Sequence, residues 1–444
     1  MTIERTTEAL RREHEGYLER ADTSSARSET RQTLTIYVAL LTGLFALACV
    51  VTTVRRELLG ERYPFDTFLL DPNIRFSDLL IFNPRFAVLG DGTAFFDVPG
   101  HPFTYPAPCV YAYLLFVRLT HPVLAYMLVL MTAVLAGAIV LVRGAPLTER
   151  GFVLKVVAIT ALFSYPFLAL MDRANIEGLV WIVLCLGVVA FVREHFFLAA
   201  ALFGVAAAMK LFPVFLFPLF VARRRYKALG VAVASCATVT LAALFAVGPT
   251  VAQAARGISR GLGQFGEIYA LQLRPGELGF DHSLFSWLKW AMWLRHHDAD
   301  RVHHDLVRAY LAYAAVVAIG FAALYVLRLR KLPIMNQLFA LVVCMITLPF
   351  VSNDYTLIHL YLPWGVLIVT MVRDLDLRPL SRSHALAFLV PCAVLFTPQS
   401  YLFLGTMGWG GQVKTVALVA LLSAAARIPI RSSLFGETMG ETSA

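Results

Sequence analysis

Apolar runs of about 18 residues or more recur along this chain, each long enough as a helix to cross roughly 30 Å of hydrocarbon. That repetition leaves few folds open. Lipid offers no partner for bare backbone N–H and C=O groups, so a spanning segment must be a helix or part of a closed barrel. The ten-residue alternation of a barrel strand is not visible. The chain therefore reads as an all-α polytopic membrane protein, one bundle of about twelve transmembrane helices. Its 444 residues are 59% hydrophobic and 15% charged, against about a quarter charged in a soluble domain. The net charge of +9 does not call for nucleic acid, because the Lys and Arg residues cluster at the ends of apolar runs, where topology explains them. Most of the six cysteines lie inside such runs, and no disulfide or zinc framework is indicated.

The first span is expected at Thr33 to Val54. It follows a polar cytoplasmic tail, residues 1–32, with a short amphipathic helix at Glu8 to Arg20 and none of the marks of a signal peptide. A long external loop, 55–121, carries two short apolar pieces, Phe65 to Leu70 and Ala107 to Leu119, that read as interfacial helices. Further spans are expected at Pro122 to Val142, Phe152 to Leu170, Gly178 to Val192, Phe196 to Met209, Pro213 to Val221 and Leu229 to Val247. A second external loop, 248–306, holds the aromatic-rich piece Leu284 to Leu294. Spans at Val307 to Leu327, Asn336 to Phe350, Leu357 to Val372, Ala385 to Leu402 and Val413 to Ala425 complete a transmembrane domain of residues 33–427, before a cytoplasmic tail, 428–444.

Basic clusters prefer the cytoplasm. With the amino terminus inside, Arg223-Arg224-Arg225-Tyr226-Lys227, Arg328-Leu329-Arg330-Lys331, the Arg373 to Arg382 loop, Arg427 and Arg431 all fall inside, with Arg55-Arg56 the exception. The opposite face then receives Asp78, the stretch Asp172-Arg173-Ala174-Asn175-Ile176-Glu177, Lys210, Asp281-His282-Ser283 and Ser352-Asn353-Asp354-Tyr355. Charge alone sets that orientation, so the shared side of these motifs is an independent observation. A thirteen-helix count, with Ala107 to Leu119 crossing, would scatter them over both faces.

Ionisable groups at membrane depth are costly and usually line a cavity. Asp172, Asn175 and Glu177 lie at expected helix ends, where they can serve a site or merely cap a turn. Lys210 closes one apolar run and precedes Leu211-Phe212-Pro213, a break that would leave its ammonium at a cavity edge for a phosphate; the alternative is a lysine that snorkels to the interface. Asp354 would start a helix with Tyr355 and His359 four residues apart on one face; the alternative for the imidazole is a satisfied core histidine. Asp281 and His282 sit in an aromatic context suited to a sugar or isoprenoid. The run Arg295 to Asp305, although rich in His and Asp, has the irregular spacing of a solvated basic patch rather than of a metal cluster.

On these residues the chain resembles glycosyltransferase family 87, polytopic GT-C members that use polyprenyl-phosphate sugars as donors. The resembling features are the loop acid of Arg75-Phe76-Ser77-Asp78, the sequence Tyr105-Pro106-Ala107-Pro108, the stretch Asp172 to Gly178, Lys210-Leu211-Phe212-Pro213, His282-Ser283-Leu284 and Asn353-Asp354-Tyr355. Where the family often has a Gly-Gln-x-Asn-like loop, only Asn175 carries over. The resemblance implies transfer of a hexose, mannose, from a polyprenyl monophosphate to a glycolipid or glycan hydroxyl at the outer face of the inner membrane, with inversion. Asp78 would be the general base, and Lys210, His359 and Arg173 would hold the donor phosphate. Asp172, Asn175, Glu177, His282, Asp354 and Tyr355 would bind substrate, and neither metal nor cofactor is expected. Other GT-C sugars, and a transporter or flippase of a lipid-linked sugar, remain as alternatives. A carrier would be expected to show repeat symmetry, which the sequence lacks.

Overall fold

The computed structural model describes residues 2–62, 75–80, 103–273, 275–375, 380–399, 401–404 and 407–437, with residues 2–23 as backbone alone. Among them the chain is helical almost throughout. The one sheet is an antiparallel pairing of Phe403–Leu404 with Met407–Gly408. The interfacial piece expected at Phe65 to Leu70 lies outside the described residues.

Among the described residues, five helices are long and apolar enough to cross a membrane: Ser24–Leu58, Pro122–Gly144, Tyr226–Val247, Asp300–Lys331 and Asp354–Arg373. A sixth span forms if the bent pair Leu147–Leu162 and Tyr165–Arg173, at 49° to each other, is taken together. The other apolar segments are shorter helices, among them Ala107–Val117, Glu177–Val192, Phe196–Met209 and Ile334–Thr347. The protein is thus an integral membrane protein of the all-α class, built from a mixture of long and short helices. The reason for the short ones lies in where they sit. Every residue of Ile334–Thr347 is buried, as expected of a helix that is apolar all round, whereas Pro122–Gly144 and Asp300–Lys331 turn mostly outward.

The inner helices also break where the sequence places proline or a polar side chain. Ser164 ends one segment and caps the next by accepting from Phe167 N, ahead of Pro166. Lys210 is extended, at φ −143° and ψ 136°, and a 3-10 turn Phe212–Leu216 follows it. The segment Asp354–Leu360 is also 3-10 and passes into the helix Tyr361–Arg373. There Pro363 has no N–H for the carbonyl of His359 four residues back. Tyr355 and His359, expected on one α-helical face, therefore point about a third of a turn apart.

The first span differs in extent from expectation. One helix runs Thr2–Thr53, so the polar tail and the expected Glu8 to Arg20 helix are continuous with the span. Arg27 and Arg31 pair with the buried Glu149, and Glu29 accepts from Arg382 N at 3.1 Å.

Three helices fix the ends of the bundle relative to each other. Ile334–Thr347, Tyr361–Arg373 and Gly410–Arg427 each have one end among basic residues and the other near Asp354. At the basic end Arg328 Nε donates to Ala426 O at 2.7 Å, and Asn336 Nδ2 donates to Ala425 O and Ile428 O. Asp374, next to Arg373, accepts from Ser433 N at 2.9 Å, and Arg223 donates to Phe435 O. The residues with candidate chemistry gather at the opposite end.

Candidate active site

The site grows from one short stretch. The helix Tyr165–Arg173 is closed by Ala174 in the left-handed conformation, at φ 50°, which costs a non-glycine residue roughly 1–2 kcal/mol. That turn sends Asn175 and Glu177 off in different directions before the helix Glu177–Val192 begins. A second left-handed residue, Phe76 at φ 56°, faces it, and its N–H donates to Asp172 O at 2.6 Å. The loop that carries Asp78 is thereby fastened to the stretch that carries Asn175.

Asn175 is the centre of this arrangement. Its amide donates to Asp78 Oδ2 at 2.5 Å and to Tyr105 OH at 2.9 Å, and its side-chain oxygen accepts from Glu177 N at 2.9 Å. Its backbone carbonyl accepts from Tyr126 OH at 2.6 Å, and the next N–H, of Ile176, donates to Tyr113 OH at 3.0 Å. Gly178 makes room for this. A Cβ there would stand 2.5 Å from Tyr126 OH. Gly178→Ala is therefore expected to push the tyrosine off the Asn175 carbonyl and to cost about 1–3 kcal/mol of stability, as overpacking does. A thermal melt of the purified variant checks it, and an unchanged midpoint would show that the contact relaxes freely.

Two residues beyond Asn175, Glu177 is 3% exposed and holds two partners. Lys210 Nζ donates to its Oε2, and His359 Nε2 lies 2.5 Å from its Oε1. Lys210 Nζ also stands 6.0 Å from the Tyr105 ring centre and 5.7 Å from that of Tyr355. Asp78 is half-buried. Its surroundings nonetheless push its carboxyl above the usual carboxylate range, mainly by burial, against the Asn175 hydrogen bond and the positive charges of Arg173 and Lys210. A carboxylate with raised proton affinity, next to cations, can take a proton from a hydroxyl and leave a charged leaving group stabilised.

The remaining expected residues form a second cluster behind the first. His282 is 0% exposed, and its Nε2 lies 3.0 Å from Ser352 Oγ and 3.2 Å from Thr356 Oγ1. Asp281 accepts from Ser283 N and Ser352 N, each at 3.0 Å. Asp354 Oδ1 accepts from Lys414 Nζ at 2.5 Å. Ser352, His282 and Asp354 follow the order of a hydrolytic triad, but the last link, at 3.7 Å, is beyond hydrogen-bond range, and Ser352 is itself buried. Burial holds the His282 imidazole below its usual range, with the neighbouring Asp354 opposing the shift. The ring is turned into this buried network rather than toward the first group of residues. The structure thus brings Asp78, Arg173, Asn175, Glu177, Lys210, Tyr355 and His359 together, while His282 and Asp354 face a separate buried network. Asp172 is buried beside the first group. In the stretch Arg295 to Asp305, Asp298 caps the helix Ala299–Leu327 and His296 pairs with Asp305 at 3.1 Å.

Sequence reasoning missed Lys414. Its signal was present, a lone cation in the first turns of an apolar helix, which needs an acidic partner at that depth. Tyr113 and Tyr126 were not distinguishable from core aromatics, and Tyr105 stood out only as the start of Tyr105-Pro106-Ala107-Pro108.

An integral membrane bundle that holds a carboxylate and a group of cations at one end has the makings of a membrane-embedded transferase. The family model for Glycosyltransferase family 87 matches residues 103–352, more than half of the chain, and the chain belongs to that family of membrane glycosyltransferases. Asp78, Asp354, Tyr355, His359 and Lys414 lie outside the matched residues. No curated protein and no solved structure matches the chain.

Proposed function

We propose that the protein transfers a hexose, mannose, from a polyprenyl-phosphate donor to a hydroxyl of a glycolipid or glycan, with inversion, at the external face of the inner membrane. The observation that carries this reading is the juxtaposition of Asp78, bonded to Asn175, with Lys210 and His359, both bonded to Glu177 two residues further on. Asp78 takes the proton of the acceptor hydroxyl as that oxygen bonds to the anomeric carbon. The bond from that carbon to the phosphate oxygen breaks on the opposite side, and its electron pair leaves with the phosphate. Lys210, Arg173 and His359 stabilise the charge that grows there, while Asn175 and Tyr355 border the sugar.

About twelve apolar segments, long and short, make up the membrane domain in this reading, with residues 1–32 and 428–444 cytoplasmic. Support for the orientation comes from the bundle's ends: Arg223, Arg328, Arg373 and Arg427 gather at the end away from Asp78, and basic residues favour the cytoplasm. The amphipathic helix Val251–Phe265, with Arg256 exposed on one side and Ala254 and Ile258 buried on the other, suits the interface above the site.

The reading is tested by incubating purified protein in detergent with radiolabelled polyprenyl-phosphate mannose and a pool of glycolipid acceptors. Label should move to a glycolipid with inverted anomeric configuration. Donor that binds and is never consumed would sink the reading and favour a carrier of lipid-linked sugar.

The raised proton affinity of Asp78 adds a pH test. The base works ionised, so activity is present above its pKa and lost as pH falls through it. The acid limb of kcat/KM is expected above about 3.9, the ordinary aspartate value. Arg173→Gln, which removes a charge favouring the ionised form, should move that limb to still higher pH. A limb at or below the ordinary value, or one indifferent to Arg173, would rule out Asp78 as the titrating base.

A further inference from the structure

We infer that Lys414 is a positioning residue for the phosphate end of the site. This inference rests on the reading above, in which Lys210 and His359 meet the lipid phosphate. Lys414 is 0% exposed and touches two elements at once. Its Nζ donates to Asp354 Oδ1 at 2.5 Å, at the start of the 3-10 turn that carries Tyr355 and His359. The same Nζ stands 5.2 Å from the ring centre of Tyr165, the first residue of the helix that leads to Arg173, Asn175 and Glu177. One ammonium therefore sits between the start of the 3-10 turn that bears His359 and the start of the helix that leads, through the Ala174 turn, to its partner Glu177.

Other contacts make the arrangement rigid. Tyr361 OH, just after the 3-10 turn, donates to Ser164 Oγ, just before the helix. Thr415, next to Lys414, donates to His282 O at 3.0 Å, and His282 N donates to Ser352 O at 2.9 Å. Gly411 lets the start of the helix Gly410–Arg427 approach this segment closely, since a Cβ there would collide with the carbonyl oxygens of Asp281 and Leu278. A buried ion pair is a poor source of stability, because desolvation offsets most of the attraction and apolar replacements are often neutral or better. What such a pair supplies is a directional contact that apolar packing lacks. Here its direction sets the distance between the turn bearing His359 and the stretch bearing Glu177.

That distinction makes the role testable without relying on transfer. Full-length wild type, Lys210→Met, Lys414→Arg and the double variant Lys414→Met with Asp354→Leu are compared in detergent, reading the thermal midpoint and the affinity for decaprenyl phosphate. Lys210→Met is expected to weaken binding at least tenfold. The double variant should melt near wild type and yet bind about tenfold more weakly, because the pair is replaced by apolar groups and the directional contact is gone. Lys414→Arg, which keeps the charge, should recover binding to within about threefold. A double variant that melts and binds as wild type overturns the positioning role and leaves the phosphate reading intact. Unchanged binding in Lys210→Met overturns the phosphate reading and this inference with it. Should the double variant melt early, Lys414→Arg decides at a wild-type midpoint: recovered binding supports the role, and binding as weak as in the double variant overturns it.

Discussion

Asp78→Asn should lower the rate of sugar transfer by about 10²–10⁴-fold, the usual contribution of a general base, while donor affinity changes by less than about threefold. The substitution is close to isosteric. The new amide oxygen can still accept from Asn175 Nδ2, now at 2.5 Å from the carboxylate, so the loop stays fastened and only the basicity is lost. The second fastening, Phe76 N to Asp172 O, does not involve the side chain at all. Transfer and donor binding measured side by side therefore separate chemistry from folding. Asp78→Glu sharpens the comparison, since it keeps the charge but moves it by about one methylene; misplacement of a reacting group on the scale of 1 Å costs about a hundredfold. A loss under about tenfold in Asp78→Asn would put the base elsewhere. Parallel loss of binding and transfer would mean that Asp78 holds the loop rather than the proton.

The class of fold was legible because apolar length and basic clusters are properties of the chain itself. Lys210 was legible for the same kind of reason, as a cation followed by Leu211-Phe212-Pro213 at the end of an apolar run, and it does sit at the break of two helical segments. What the sequence could not supply was length in three dimensions. A helix such as Ile334–Thr347 needs no lipid-crossing length when neighbours cover all of it, and nothing local distinguishes it from a full span. The division of polar residues into two clusters was equally hidden. His282 and Asp354 carry the same residue types as the first cluster, and only packing shows that one is held by Ser352 and Thr356 and the other by Lys414. The 3-10 form of Asp354–Leu360 also defeated the periodicity argument for Tyr355 and His359. Both still reach the Glu177–Lys210 pair, Tyr355 through its ring and His359 through Nε2.

Glu177→Gln should be the most damaging change to stability in the site. It removes the anion that Lys210 and His359 share, with Glu177 and His359 almost wholly buried and Lys210 15% exposed in its side chain. Removing one partner of a buried pair costs about 3–5 kcal/mol, because the remaining charge stays desolvated. The access of Lys210 to water argues for the lower end. The same geometry gives the variant a second property. In the resting protein Glu177 occupies the cations that the lipid phosphate must recruit, so it acts as a competitor for them as well as their support. Without it, Lys210 loses the carboxylate it is hydrogen-bonded to, and a phosphate can take that place. Decaprenyl phosphate should therefore raise the thermal midpoint of Glu177→Gln by more than it raises that of wild type, since a ligand that binds only the folded state, at free concentration L, stabilises it by RT ln(1 + L/Kd), which grows as Kd falls. Turnover should fall even so, because the orientation of His359 and Lys210 depends on the carboxylate. The same shift in both proteins would show that the phosphate binds away from Lys210, and an unaltered midpoint in ligand-free Glu177→Gln would show that the pair contributes nothing to the fold.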